Sequence, residues 1–354
     1  MAGSSCRWAL GKWHLGFLTP QFTPTSRGFD HYVGYYSGAE EHFSHLKAGL
    51  DLNVYDLSNN SGASINPLLA MVGNASATYS SYIYGNETLR LLAAHDPATP
   101  LFVYLAWNNV HAPCEAPDNY LDINAHIQDH GRRGLAGMMS ALDDQLTDVV
   151  SGFKARGMWD NTLMIMTADN GGNLGGSGCN YPLRGGKYTF WEGGVRANSF
   201  VSGGLLPRAM RGSQWAGYAH AADWYTTIAA LAGASVDESG PLPADGVVLW
   251  PAIAANASSP RSEVVLQIMS NSTDNLFTAP PTAWCAGAGA GDAALCQPPS
   301  WGSGWLVDSD ARSLEGGEEG GGEGIHQLPP RPFPTMDVCS SADDFVFELN
   351  VRFP

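Results

Sequence analysis

The stretch TLMIMTADNGG, residues 162–172, leads into LRGGKYTFWEGG, residues 183–194. Its apolar run, Leu163 to Met166, has the length of a buried strand. The run ends on Asp169 and Asn170, and Gly171-Gly172 force a turn. A carboxylate and an amide oxygen side by side at a strand end suit a hard, oxygen-seeking cation. The same residues are ordinary turn chemistry, so the pattern gains meaning only from the rest of the chain. Lys187 follows in a glycine-rich loop, where its ammonium can meet an anion.

Working outward, LFVYLAW at 101–107 reads as a second buried strand, β-branched and aromatic. Asn108, Asn109 and His111 follow it. Between the two strands Leu135, Met138, Met139, Leu142, Leu146, Val149, Val150 and Phe153 recur at three- and four-residue steps. One apolar stripe of that kind predicts a helix over 134–156, with Gly157 as its stop. Strand, helix, strand is a βαβ unit, so the two strands are expected to run parallel in one sheet. Open parallel sheets bind ligands outside the carboxyl ends of their strands. That edge is expected to carry His111, Asp169, Asn170 and Lys187.

Near the start, Arg7 to Leu10 reads as a strand, followed by GKWHLG at 11–16. Lys12 and His14 are two apart, so on an extended segment they share a side. They join the same expected edge. Residues 17–60 read as a long connection with short strands, and His31, His42 and His45 as scattered surface histidines, with the lining of a pocket as the alternative. A helix is expected to end near His95, and another over Asp223–Ala234 with His220 just ahead of it. FVFELNVRF, 345–353, alternates as an edge strand of a small antiparallel sheet would. Residues 285–325, with GGEEGGGEG, read as a flexible acidic loop.

Composition narrows the class. The 354 residues are 44% hydrophobic, enough for a real core. With 34 Asp and Glu against 18 Lys and Arg, the net charge of -16 argues against nucleic-acid binding. No apolar run approaches the roughly 20 residues of a membrane span. The first ten residues, MAGSSCRWAL, do not make a signal peptide. Yet N-x-[ST] triplets occur at Asn59, Asn74, Asn86, Asn256 and Asn271, alongside six cysteines. Together these lean towards the secretory pathway, lysosomal or extracellular. No C-x-x-C or zinc spacing occurs. Cys285 and Cys296, flanking a short Gly/Ala loop, are the expected disulfide.

Five motifs in order, GKWHLG (11–16), RGFDHYVGY (27–35), NVHAP (109–113), TADNGG (167–172) and PLRGGKYTFWEGGVR (182–196), resemble the sulfatase family, most of all its arylsulfatase B type. The resemblance implies an α/β fold: a large, mostly parallel mixed sheet sandwiched by helices, with a small C-terminal antiparallel sheet. It divides the chain into a catalytic domain over 1–255 and a small subdomain over 256–354. It implies hydrolysis of sulfate esters, with calcium and a formylglycine made from cysteine. Asp169 and Asn170 match calcium ligands. Lys12 and His14 match the pair that orients the formylglycine hydrate. His111 and Lys187 match groups that hold sulfate and assist the leaving oxygen. The expected partner is a sulfated small molecule or glycan.

The family also carries an Asp-Asp strand and a C-x-[PA]-x-R motif ahead of GKWHLG. Cys6 is followed by Arg7-Trp8-Ala9, which is not that motif. The 354 residues as written are therefore expected to be N-terminally truncated and inactive alone. The other readings are a non-catalytic protein that keeps a sulfated-glycan site and a relative in the wider alkaline-phosphatase-like superfamily that acts on phosphate.

Overall fold

A computed structural model describes residues 5–47, 55–61, 66–67, 78–236, 243–267, 306–308 and 347–352. The chain forms two compact units, Met1–Asp160 and Asn161–Pro354. The expected Cys285–Cys296 pair and the acidic loop at 285–325 fall outside the described residues, apart from 306–308 of that loop.

The first unit is built on a five-stranded mixed sheet. In chain order its elements are β1 (Cys6–Lys12), β2 (His31–Tyr35), β3 (Leu57–Ser61), β4 (Asn66–Pro67), α1 (Ser80–Ala94), β5 (Leu101–Ala106), α2 (Asp118–Ile123) and α3 (His130–Ala155). The sheet order is β4-β3-β2-β1-β5. β1 pairs parallel with both β2 and β5, whereas β2–β3 and β3–β4 are antiparallel. Alternation along β1 sends Trp8 and Leu10 into one core with Val33, Tyr35, Ile83, Tyr84 and Leu92. It sends Ala9 to the other face with Trp13, Tyr32 and Tyr36. Each large side chain fully buried there contributes roughly 1.5–3 kcal/mol. The long helix starts where Asp129 accepts a hydrogen bond from the Arg132 amide, and it buries Met138, Ala141, Leu142 and Val149. It ends at Arg156, with Gly157 left-handed at φ 65°, the stop the sequence led to expect. The helix before His95 is equally in place, with His95 as its C-cap.

The second unit comprises β6 (Met164–Thr167), α4 (Glu192–Val195), β7 (Arg196–Ser202), β8 (Gln214–Trp215), α5 (Ala221–Leu231), α6 (Trp250–Ala255), β9 (Val264–Gln267), β10 (Leu306–Asp308) and β11 (Phe347–Arg352). A four-stranded sheet runs β6-β7-β11-β8, and β9 and β10 form a small antiparallel pair. Val201, Leu206, Trp215, Leu249 and Ile253 make its core. His220 caps α5: its Nδ1 accepts from the Ala222 amide while Asp223 accepts from the His220 amide.

Two strand expectations need correcting. β5 and β6 are not parallel neighbours; β5 pairs with β1, and β6 pairs antiparallel with β7, in separate sheets. The segment ending the chain is not an edge strand either, because β11 lies between β7 and β8. Apolar periodicity reports which face a strand buries and is silent on its neighbour.

Candidate functional site

In the first unit the site grows from the carboxyl ends of three adjacent parallel strands. Register sets Gly11 against Ala106 of β5 and Gly34 of β2, and Lys12 against Tyr35. The chains after β1, β2 and β5 thus leave one edge of one sheet. They bear Lys12 and His14, then Gly38 to His42, then Asn108 to His111. Gly11 permits this approach. Its φ is 94°, and a Cβ there would stand 1.9 Å from the Ala106 carbonyl oxygen.

Trp13 anchors the first loop. Its buried indole N–H donates to the carbonyls of Gly16 and Phe22, and its amide donates to Tyr35. His14 then donates its amide to the Tyr36 carbonyl at 3.1 Å. The expectation that Lys12 and His14 share a side by strand alternation fails in its reasoning. β1 stops at Lys12, and His14 adopts the left-handed region at φ 49°. The turn after β2 is held by Asp56, whose carboxylate accepts the amides of Tyr36 and Ser37.

His111 is half-buried, and its Nδ1 lies 2.8 Å from the Ala112 carbonyl oxygen. A carbonyl only accepts, so Nδ1 carries the proton in the neutral ring. Nε2 then carries the ring's lone pair. The preceding Asn109 clamps the loop: its amide donates to the Met138 carbonyl at 2.6 Å and to Tyr79 Oη at 3.1 Å, and its Oδ1 accepts from Ser81.

Two histidines expected at the surface are buried instead. His42 and His45 are both 0% exposed. His42 Nε2 sits 3.0 Å from the His111 carbonyl oxygen, and His45 Nε2 3.0 Å from that of Thr78. Beside them Glu40 is buried, with its Oε1 accepting from Tyr84 at 2.5 Å and Ser80 at 3.0 Å. Burial pushes its carboxyl up to about 8, with a smaller push from Asp56. His31 is only partly buried and meets Glu87 at 2.8 Å.

In the second unit β6 delivers Asp169 and Asn170 to a turn stitched onto the loop that bears Lys187. The Gly171 amide donates to Gly194, and the Lys187 amide to Gly172, at 2.9 and 3.0 Å. Asn180 is the rivet between the two segments. Its Oδ1 accepts from the Gly172 amide, and its amide donates to the carbonyls of Gly172 and Gly185. Arg184 stacks on Trp191 at 3.7 Å, and Lys187 Nζ lies 5.4 Å from the Tyr188 ring centroid. Asp169 is exposed, and Asn170 donates to the Gly171 carbonyl through its amide, so its Oδ1 is turned to accept or ligate.

The donor set fits a hard cation in kind but not in number. Calcium takes six to eight oxygens. Among the described residues no group of three or more His, Cys, Asp and Glu gathers as a metal cage. Asp169 and Asn170 supply a part of such a shell.

Sequence reasoning missed Asn180, Glu40 and Asn108. Each is a polar residue in a turn-rich segment, and nothing in spacing separates it from solvent-facing neighbours.

Comparison with known proteins places the chain. The family model described as Sulfatase matches residues 7–234. Mouse arylsulfatase J is 36% identical over 288 residues, 81% of this chain and 46% of its own length. Human arylsulfatase A is 29% identical over 272 residues, 72% of this chain and 50% of its own. The chain thus spans about half the length of these relatives. Among solved structures, Ps i-CgsB in complex with k-i-k-neocarrahexaose gives a TM-score of 0.63 at 30% identity, covering 75% of this chain and 59% of that one. The PsFucS1 sulfatase from Pseudoalteromonas sp., at 22% identity and a TM-score of 0.58, covers 75% of this chain and 55% of that one, and shares the fold.

Proposed function

The chain belongs to the sulfatase family, and from that premise we propose that it serves the hydrolysis of sulfate esters, on sulfated sugars. The observation that carries this is the single sheet edge from which Lys12, His14 and His111 emerge together. A sulfate ester presents anionic oxygens, and bond cleavage moves more charge onto the leaving oxygen. Lys12 supplies an ammonium group for those oxygens. Protonated on both nitrogens, His111, its Nδ1–H held by the Ala112 carbonyl, delivers a proton from Nε2 to the leaving oxygen.

Asp169 and Asn170 would contribute two oxygens to a calcium site. Two oxygens are too few to hold the ion by themselves. Cys6 opens β1 and lacks the C-x-[PA]-x-R context of a formylglycine cysteine. The 354 residues on their own are therefore assigned binding of the sulfate group without turnover. The sugar preference is supported by a named relative, mouse N-acetylgalactosamine-6-sulfatase, 33% identical over 198 residues, and by the k-i-k-neocarrahexaose named with Ps i-CgsB. A secretory location follows from the five N-x-[ST] triplets. Among the described residues no helix is long and apolar enough to cross a membrane.

The test pairs calorimetric titration of 4-nitrocatechol sulfate with an aryl sulfate hydrolysis assay. The purified chain should bind the compound, Lys12→Ala and His111→Ala should each weaken binding about tenfold, and hydrolysis should equal that of an Asp169→Ala control. Binding untouched by both variants would refute the site. Turnover clearly above the control would show that another residue attacks.

A further inference from the structure

We infer that Glu40, Asn108 and His42 form a buried relay that positions His111, on the reading of His111 as the group facing the sulfate ester. All three lie inside the first unit, with exposures of 1%, 3% and 0%. The chain of bonds has only one consistent direction. The His111 carbonyl can only accept, so His42 Nε2, 3.0 Å away, carries the proton. His42 Nδ1 is then a lone pair, and it faces Asn108 Nδ2 at 3.1 Å. The Asn108 amide must donate there. Turned the other way, its Oδ1 would face two acceptors, His42 Nδ1 and Glu40 Oε1. As placed, the same Nδ2 also reaches Glu40 Oε1 at 3.4 Å. Glu40 is in turn pinned by Tyr84 and Ser80.

The relay ends on the main chain of His111 and not on its ring. A second bond from the same segment ties the loop back, since the His42 amide donates to Glu115 at 2.9 Å. The His42 ring also stacks on Tyr79, their centroids 5.4 Å apart. Tyr79 in turn receives the amide of Asn109. The carbonyl of His111 and the side chain of its near neighbour Asn109 are thus fixed from two sides of one aromatic stack. Burial lowers His42 to about 4, so the strut stays neutral when an anion arrives nearby. A strut with no charge of its own leaves the field at the sulfate to Lys12 and His111.

His42→Phe keeps the stack on Tyr79 and deletes both ring nitrogens. It should shift and broaden the His111 ring signals in histidine-labelled NMR spectra. It should also weaken 4-nitrocatechol sulfate binding about three- to tenfold, the worth of one hydrogen bond. His42→Gln returns an amide donor and should recover most of both. Asn108→Asp, equal in volume, replaces the donor by an acceptor. It should convert His42 at neutral pH from the Nε2–H tautomer to the imidazolium, read from its 15N shifts. An unchanged His111 ring in His42→Phe, or an unchanged His42 tautomer in Asn108→Asp, would overturn the relay. Both NMR readouts need no ligand. If the wild-type chain binds no aryl sulfate, the proposed function fails while the relay is still decided by the spectra.

Discussion

Gly38 stands against the His14 imidazole so closely that a Cβ on it would meet Cε1 and Nε2 of the ring at 2.9 Å. The glycine follows β2 and the histidine follows β1, so the contact depends on the parallel pairing of the two strands. Something must move if a methyl is added, and the ring tip is the freer of the two. Gly38→Ala should therefore displace His14 while leaving the sheet intact. Histidine NMR should show a shifted His14 ring, with the melting midpoint lowered by less than about 5 °C. A His14 signal identical to wild type would refute the contact.

The second prediction concerns the ion pair at the base of α5. Asp223 is 0% exposed and accepts from Arg261 through both oxygens, at 2.8 and 2.5 Å. It also accepts the amides of Val247 and His220. Removing the guanidinium strands a buried carboxylate, which typically costs about 3–5 kcal/mol. Arg261→Ala should lower denaturant stability by that amount. A loss under about 1 kcal/mol would mean that solvent reaches Asp223.

Glu40 makes stability depend on pH. Its carboxyl is raised from 4.5 to about 8, by burial first and Asp56 second, against hydrogen bonds from Tyr84 and Ser80. Its Oε2 also lies 4.0 Å from Nδ1 of His45. The folded chain thus binds more protons than the unfolded one between those two values. Its contribution is complete below about pH 4.5 and is lost as pH rises towards 8. His42 works oppositely, since it is lowered from 6.5 to about 4 and loses its contribution as pH falls through that window. Urea melts of wild type and Glu40→Gln at pH 5.5 and 8.5 separate the two. The variant should gain on wild type as pH rises. A constant difference would place a charged, solvated carboxylate at this position.

A fourth prediction follows from β5. Among the described residues it pairs on one side only, with β1. Phe102 and Tyr104 are 38% and 41% exposed, and both pack on Phe29, with centroids 6.1 and 6.3 Å away. Aromatics exposed beside an open edge attract dyes and other chains. The chain should bind a hydrophobic dye, and the double substitution Phe102→Ser, Tyr104→Ser should cut that fluorescence by at least half. An undiminished signal would place the dye elsewhere.

Much of this molecule is legible from local sequence. The apolar stripe from Leu135 to Phe153, stopped by Gly157, predicts α3 because a helix repeats every 3.6 residues. GKWHLG and TADNGG mark strand ends because Gly11 takes a backbone at φ 94° that favours glycine, and Gly171 lies so near Gly193 that a Cβ would stand 1.7 Å from its carbonyl oxygen. Lys12, His14, His111, Asp169, Asn170 and Lys187 are all found in such motifs. Period-two alternation, however, assigns a face and not a partner. It therefore missed that β6 turns to β7 and that β11 is interior. Burial of His42 and His45 was equally invisible. Each sits in a polar, aromatic segment, and its carbonyl partner lies far along the chain, at His111 and Thr78. Only tertiary folding closes such distances, because an unsatisfied ring nitrogen in a buried place costs too much to leave alone. The tautomer of His42 was decided there, by which atom the fold set opposite each nitrogen.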